Sequence, residues 1–256
     1  MPDSPDIQIY SDGQEWLHQA CVLIRDITAH AIQSRGRCLM ALSGGSTPKL
    51  VYGALTSPEW RSQIQWDHVM FVFGDERCVP PEHPESNYGL AQTALFQPLG
   101  IPPDQVYRMK GEMPDPAAAA REYEKTLRAL TACPAPKIPP LDLVLLGLGD
   151  DGHTASLFPG TTAVTEQRRL VTVGQAPKGI VSRLTLTVGV LNRATVVLFL
   201  VTGAGKAQTV RAVIEPRNQM EPALPAALVR PESGRLIWLL DRSAGASLSD
   251  PHRGAS

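Results

Sequence analysis

Short, uninterrupted apolar runs alternate along the chain with longer stretches whose apolar positions recur at helical spacing. The short runs fall at 38–42, 69–73, 141–146, 184–188, 195–201 and 236–240. Their near-continuous Val, Leu, Ile and Phe content suits strands covered on both faces, as in a parallel sheet. The longer stretches predict helices over 13–34, 47–55, 86–95, 116–131 and 206–214. In the fourth of these, residues 117–120 are all alanine and lead into Arg121, Glu122, Glu124 and Lys125, with Pro116 suited to the first turn. Strands alternating with helices predict an α/β fold with a mostly parallel sheet and crossover helices.

At 256 residues the chain fits one α/β domain, expected over 1–242. The CPAPKIPP segment (133–140) must be extended, and it reads as a loop inside that domain because a strand follows at once. Residues 243–256, rich in Ser, Gly and Ala, predict a flexible C-terminal tail. The formal net charge is −1 and no basic cluster stands out, which argues against a nucleic-acid partner. Four scattered cysteines without a C-x-x-C pair read as reduced thiols. The polar, acidic start carries no signal-peptide pattern, and no apolar run is long enough to span a bilayer, so a cytoplasmic protein is expected.

In open α/β sheets, ligands gather at the carboxyl ends of the strands, and four such ends here carry unusual residues. Ser43, Gly44, Gly45, Ser46, Thr47 and Pro48 follow the first run and open a helix. The glycines allow close backbone approach, and the helix start offers N–H groups to an anion. The spacing is not that of a Walker loop, and an ordinary capped turn explains the same residues. Asp75, Glu76 and Arg77 leave the second run together: a guanidinium for a phosphate and carboxylates for a hydroxyl, or simply a solvated ion pair.

At the third end, Gly147, Gly149 and Gly152 match G-x-G-x-x-G literally. A dinucleotide site is nevertheless rejected. Asp150 and Asp151 would stand where a pyrophosphate belongs, and Pro159-Gly160 leaves little room for the long helix. What remains is a turn carrying Asp151 and His153, and imidazole is the side chain best suited to exchange a proton near neutral pH. Gly203, Gly205 and Lys206 repeat the first arrangement with a cation added, and Arg183 opens another run. Two anion seats, cations, carboxylates and one imidazole along one sheet edge suit a phosphorylated sugar.

At these residues the chain resembles the 6-phosphogluconolactonase family, which is related to the glucosamine-6-phosphate isomerases. The matching segments are SGGSTP (43–48), GDERCVP with HPESNYG (74–89), LGDDGHTASLFPG (148–160), RLTLT (183–187) and FLVTGAGKA (199–207). The resemblance implies a three-layer α/β/α modified Rossmann-like fold of the isomerase/lactonase type. It implies hydrolysis of 6-phospho-D-glucono-1,5-lactone to 6-phosphogluconate in the oxidative pentose phosphate pathway. Family roles imply His153 as general base with Asp151 near it, and Gly44, Gly45, Ser46, Arg77, Arg183 and Lys206 around the substrate. Asp150 stands at a variable position, and Glu85 replaces a common Asp. The deaminating isomerases resemble the chain too, but their D-G-H segment continues with Asn-Glu-Pro. Here Phe158 takes that Glu position, and a phenyl ring relays no proton.

The expected catalytic set is therefore His153, Asp151 and Asp75, with Ser43, Gly44, Gly45, Ser46, Thr47, Arg77, Arg183 and Lys206 binding substrate. Asp151, or a carboxylate from the Asp75–Glu76 pair, orients the imidazole. No cofactor and no metal are expected, since H-E-x-x-H is absent and the six histidines are dispersed. The expected partner is a small sugar-phosphate lactone, without nucleic acid or membrane, for a monomer or small homo-oligomer. A non-catalytic sugar-phosphate sensor would need an appended DNA-binding unit for which there is no room. A nicotinamide oxidoreductase would have to bind NAD(P).

Overall fold

The structure, a computed structural model, describes residues 4–215 and 223–249. Among the described residues there are nine strands: β1 (Asp6–Tyr10), β2 (Cys38–Leu42), β3 (Val69–Phe73), β4 (Asp75–Arg77), β5 (Leu143–Leu146), β6 (Val171–Gln175), β7 (Ser182–Leu186), β8 (Val196–Val201) and β9 (Arg235–Asp241). Six of them form a parallel sheet in the order β1-β9-β8-β5-β2-β3. Every residue of β2, β5 and β8 is buried, so both faces of the sheet centre are covered.

The helices are α1 (Gly13–Arg35), α2 (Ser46–Leu55), α3 (Asn87–Ala91), α4 (Gln97–Leu99), α5 (Pro116–Thr131), α6 (Val188–Leu191) and α7 (Ala207–Ile214). Their ends follow local chemistry. Asp12 caps α1 by accepting from the Gln14 N–H at 2.6 Å, and Gly36 closes it in the left-handed conformation. Trp16, Ala20, Ile24, Ile27 and Ala31 form the buried stripe of α1, and the Trp16 indole donates to Leu239 O in the neighbouring strand at 3.1 Å. No helix among the described residues is long and apolar enough to cross a membrane.

Three expectations need correction. The run at 184–188 is not part of the parallel sheet; residues 184–186 lie in β7, the middle strand of a separate antiparallel sheet ordered β4-β7-β6, and Val188 opens α6. The helix expected over 86–95 is α3 followed by a π-helical turn (Gln92–Phe96). The stretch from Ser243 does not fray over its described part. It turns back onto the sheet and buries Ala244 and Leu248; residues 250–256 lie outside the described residues.

Sequence β2–β3 runs to one side of the sheet and β5–β8 to the other, so the direction of winding reverses between the adjacent strands β2 and β5. That is the switch point at which an open sheet leaves a crevice at its carboxyl edge.

Candidate active site

A cavity of about 270 Å³ occupies this crevice. Its walls are the turns after β2, β5 and β8 together with β4 and β7. They bring together Ser43, Gly44, Gly45, Ser46, Thr47, Asp75, Arg77, His153, Arg183 and Lys206, all expected from the sequence. Asp151 stands directly behind, in contact with His153.

The β5 turn is closed by hydrogen bonds from Gly149 N to His153 O (2.8 Å) and from Thr154 Oγ1 to Gly147 O (2.9 Å). The imidazole folds back over this turn, so a Cβ added at Gly149 would lie 2.0 Å from His153 Nδ1. The middle glycine of the sequence that mimics a nucleotide fingerprint thus makes room for a histidine. His153 Nδ1 lies 2.5 Å from Asp151 Oδ1, which also accepts from the His153 backbone N–H at 3.1 Å. Burial pushes the Asp151 carboxyl up, but these hydrogen bonds outweigh it and hold the group below its ordinary value. An ionised carboxylate at Nδ1 favours the tautomer protonated there, which leaves the Nε2 lone pair on the other side of the ring. Of the carboxylates that sequence left as alternatives, Asp151 is the one that touches the ring.

Asp75 is buried, and its carboxylate accepts from Ser156 Oγ (2.6 Å) and Asn87 Nδ2 (3.0 Å). Glu76 faces the other way. Its carboxylate collects the backbone N–H groups of Arg77, Asn87 and Tyr88 and the hydroxyl of Ser86. Desolvation raises the Glu76 pKa despite these bonds, and its place is structural, under the loop that delivers Asn87.

Arg77 and Arg183 are paired across β4 and β7. Among the described residues neither has a carboxylate within ion-pair distance. Desolvation, then the charge of Arg77, lower the Arg183 pKa, which is the electrostatic signature of a seat for an anion. Lys206 completes the positive side and donates to Asp150 Oδ1 at 2.5 Å. Helix α2 begins without a side-chain cap, so its first N–H groups remain available to an anion. Thr47 Oγ1 and Thr202 Oγ1, 3.0 Å apart, tie the β2 turn to the β8 turn.

Known proteins resemble this chain over nearly its whole length. A model of the family described as "Glucosamine-6-phosphate isomerases/6-phosphogluconolactonase" matches residues 11–238. The chain belongs to this family. It is 40% identical over 245 residues to the 6-phosphogluconolactonase of Synechocystis, with 96% of this chain and 99% of that one covered. With the human 6-phosphogluconolactonase it shares 38% over 251 residues, covering 96% and 94%. The solved structure of the 6-phosphogluconolactonase from Trypanosoma brucei superposes with a TM-score of 0.85 at 32% identity, covering 96% of this chain and 99% of that one.

Within the family frame, Phe158 is buried with its ring centroid 4.3 Å from that of His153, and the Arg183 guanidinium lies 5.7 Å from the same ring. It therefore packs between a candidate base and a candidate phosphate ligand. Sequence reasoning missed Asn87, Ser156 and Thr202 as site residues. Asn87 and Ser156 lie inside segments already singled out, but their roles depend on partners 12 and 81 positions away.

Proposed function

We propose that this chain hydrolyses 6-phospho-D-glucono-1,5-lactone to 6-phospho-D-gluconate, the lactone-opening step of the oxidative pentose phosphate pathway. The observation that carries the reading is the His153–Asp151 pair on one wall of a cavity whose other walls hold Lys206, Arg77, Arg183 and an uncapped helix start. Relatives that bear the lactonase name over nearly the whole chain support it.

On this reading the phosphate sits among Lys206, Arg183 and the β2 turn, and the lactone ring extends toward His153. Asp75 accepts from a ring hydroxyl. Nε2 of His153 takes a proton from water as the water oxygen bonds to C1. Asp151 keeps Nδ1 protonated and stabilises the imidazolium. The negative charge that develops on the carbonyl oxygen meets backbone N–H groups of the glycine turns and the Arg77 guanidinium. Collapse of the tetrahedral species breaks the bond between C1 and the ring oxygen, which receives the proton from imidazolium. Binding of the remote phosphate supplies orientation without touching the reacting bond.

Phe158 supports hydrolysis over deaminating isomerisation, since a buried phenyl offers no carboxylate for ring opening. The same reading takes residues 1–242 as one catalytic domain, acting in the cytoplasm without a cofactor, as a monomer or small homo-oligomer. The test is lactone opening measured with and without the 6-phosphate, corrected for spontaneous hydrolysis. Enzymatic acceleration confined to the phosphorylated lactone is expected. Equal acceleration of both would remove the phosphate seat from the mechanism, and none of either would end the proposal.

A further inference from the structure

Asn87 and Gly44 interlock on the cavity wall, and we infer that Asn87 is a positioning residue that keeps the β2 turn and Asp75 in register, an inference that rests on the lactonase reading above. Asn87 is 2% exposed. Its backbone N–H donates to Glu76 Oε1 at 2.7 Å, which fixes where the side chain starts. Its Nδ2 donates to both Asp75 O (2.9 Å) and Asp75 Oδ1 (3.0 Å). Two acceptors on one side settle the orientation of the amide, so Oδ1 points the opposite way. There it has no N–H or O–H partner.

What it meets instead is Gly44. A Cβ built on Gly44 would lie 1.8 Å from Asn87 Oδ1 and 2.5 Å from Cγ, and the three nearest heavy atoms all belong to Asn87. The Gly44 Cα–H that occupies this direction therefore aims at Oδ1, a weak donor at a carbonyl that has no stronger one. Gly44 is not in the left-handed region of backbone space. Its conformation is open to any residue, and the obstacle to a side chain is the Asn87 amide itself.

Gly44 belongs to the turn that begins α2, at the anion end of the cavity, whereas Asp75 belongs to β4 on a different wall. One amide thus touches both. Nδ2 holds the carboxylate, and Oδ1 sets how far the glycine turn stands from it. Displacing the amide shifts Asp75 relative to the phosphate seat. Errors of about 1 Å in such a frame cost on the order of a hundredfold in rate.

Four proteins test the inference: wild type, Gly44→Ala, Asn87→Ala and the double variant, each shown to be folded and assayed on the phosphorylated lactone. Gly44→Ala and Asn87→Ala are each expected to lower kcat/KM by roughly tenfold to a hundredfold. In the Asn87→Ala background the new methyl fills vacated space, so adding Gly44→Ala should cost less than about twofold further. An equal cost for Gly44→Ala in both backgrounds overturns the inference, as does wild-type kcat/KM in Asn87→Ala. Should Asn87→Ala not fold, Asn87→Asp keeps the shape against Gly44 and replaces the Nδ2 donor by an acceptor facing Asp75. A comparable loss of kcat/KM is then expected, and wild-type activity overturns the inference. Failure of the wild type to open the lactone would fall on the lactonase reading alone. The coupling would then be read in thermal midpoints, where Gly44→Ala must cost less in the Asn87→Ala background than in wild type.

Discussion

His153 and Asp151 are joined twice: Asp151 Oδ1 lies 2.5 Å from the imidazole Nδ1 and accepts the His153 backbone N–H at 3.1 Å. The carboxylate therefore fixes the ring and its own turn with one oxygen, and the ring is presented with Nε2 unengaged by Asp151. If Nε2 is the base, His153→Ala should lower kcat by about a hundredfold to ten-thousandfold with the fold retained. Asp151→Asn should act through the tautomer, lowering kcat roughly tenfold or more with a smaller change in KM. Steady-state kinetics corrected for spontaneous opening checks both. Near-wild-type turnover in His153→Ala would exclude the imidazole as base.

The positive side of the cavity should separate from the imidazole in the same assay. Lys206→Ala and Arg183→Ala each remove a cation that faces the bound phosphate on the proposed reading. Each should raise KM by about tenfold to a hundredfold with a lesser effect on kcat. Asp150 tests the same electrostatics with the opposite sign. Its exposed carboxylate neutralises Lys206 and stands close to the anion seat. Asp150→Asn should therefore lower KM by roughly twofold to fivefold at low salt, the gain fading as salt rises. A raised KM in Asp150→Asn would mean that the carboxylate serves to aim Lys206.

How far this site was readable follows from which contacts are local. The runs that became β2, β3, β5 and β8 and the residues just past their ends were legible, since burial on both faces writes itself as continuous Val, Leu and Phe. Asp151 and His153 are two positions apart, so their pairing lay within reach of the motif. Asn87 did not declare itself. Its significance is a bond to Asp75, 12 positions back, and a steric contact with Gly44 in the turn after β2. The antiparallel pairing of β7 with β4 and β6 was hidden for a similar reason, because an apolar run does not name its neighbour. The dinucleotide reading of the glycine triplet could be rejected from Asp150 and Asp151 alone, but that Gly149 makes room for the His153 ring could not be read from the sequence.

Stability should report the Asp151 contact independently of activity. The folded-state pKa of Asp151 lies below its ordinary value of 3.8. A depressed carboxylate contributes stability that is fully present above the unfolded pKa and lost as pH falls through the folded one. The difference in unfolding free energy between wild type and Asp151→Asn should thus shrink as pH falls below about 4. Denaturant titrations across that range would show it. A difference that persists undiminished well into acid would mean that the carboxylate charge contributes nothing at this turn.

Leu248 carries the last prediction, because composition alone marked its segment as a flexible tail. The side chain is 1% exposed and belongs to the main core, and the Leu248 backbone N–H donates to Gly245 O at 3.1 Å. Ala244, four residues earlier in the same segment, is also buried, and its N–H is held at 2.7 Å by Oδ1 of Asp241, the last residue of β9. A true tail would tolerate any residue at 248. Truncating a buried leucine instead removes transfer energy and leaves a cavity, so Leu248→Ala should cost about 2–4 kcal/mol of unfolding free energy. Urea denaturation is the direct measurement, with kcat/KM expected to stay within about twofold of wild type because the residue lies outside the cavity lining. A loss under about 0.5 kcal/mol would return 243–249 to the status of a tail.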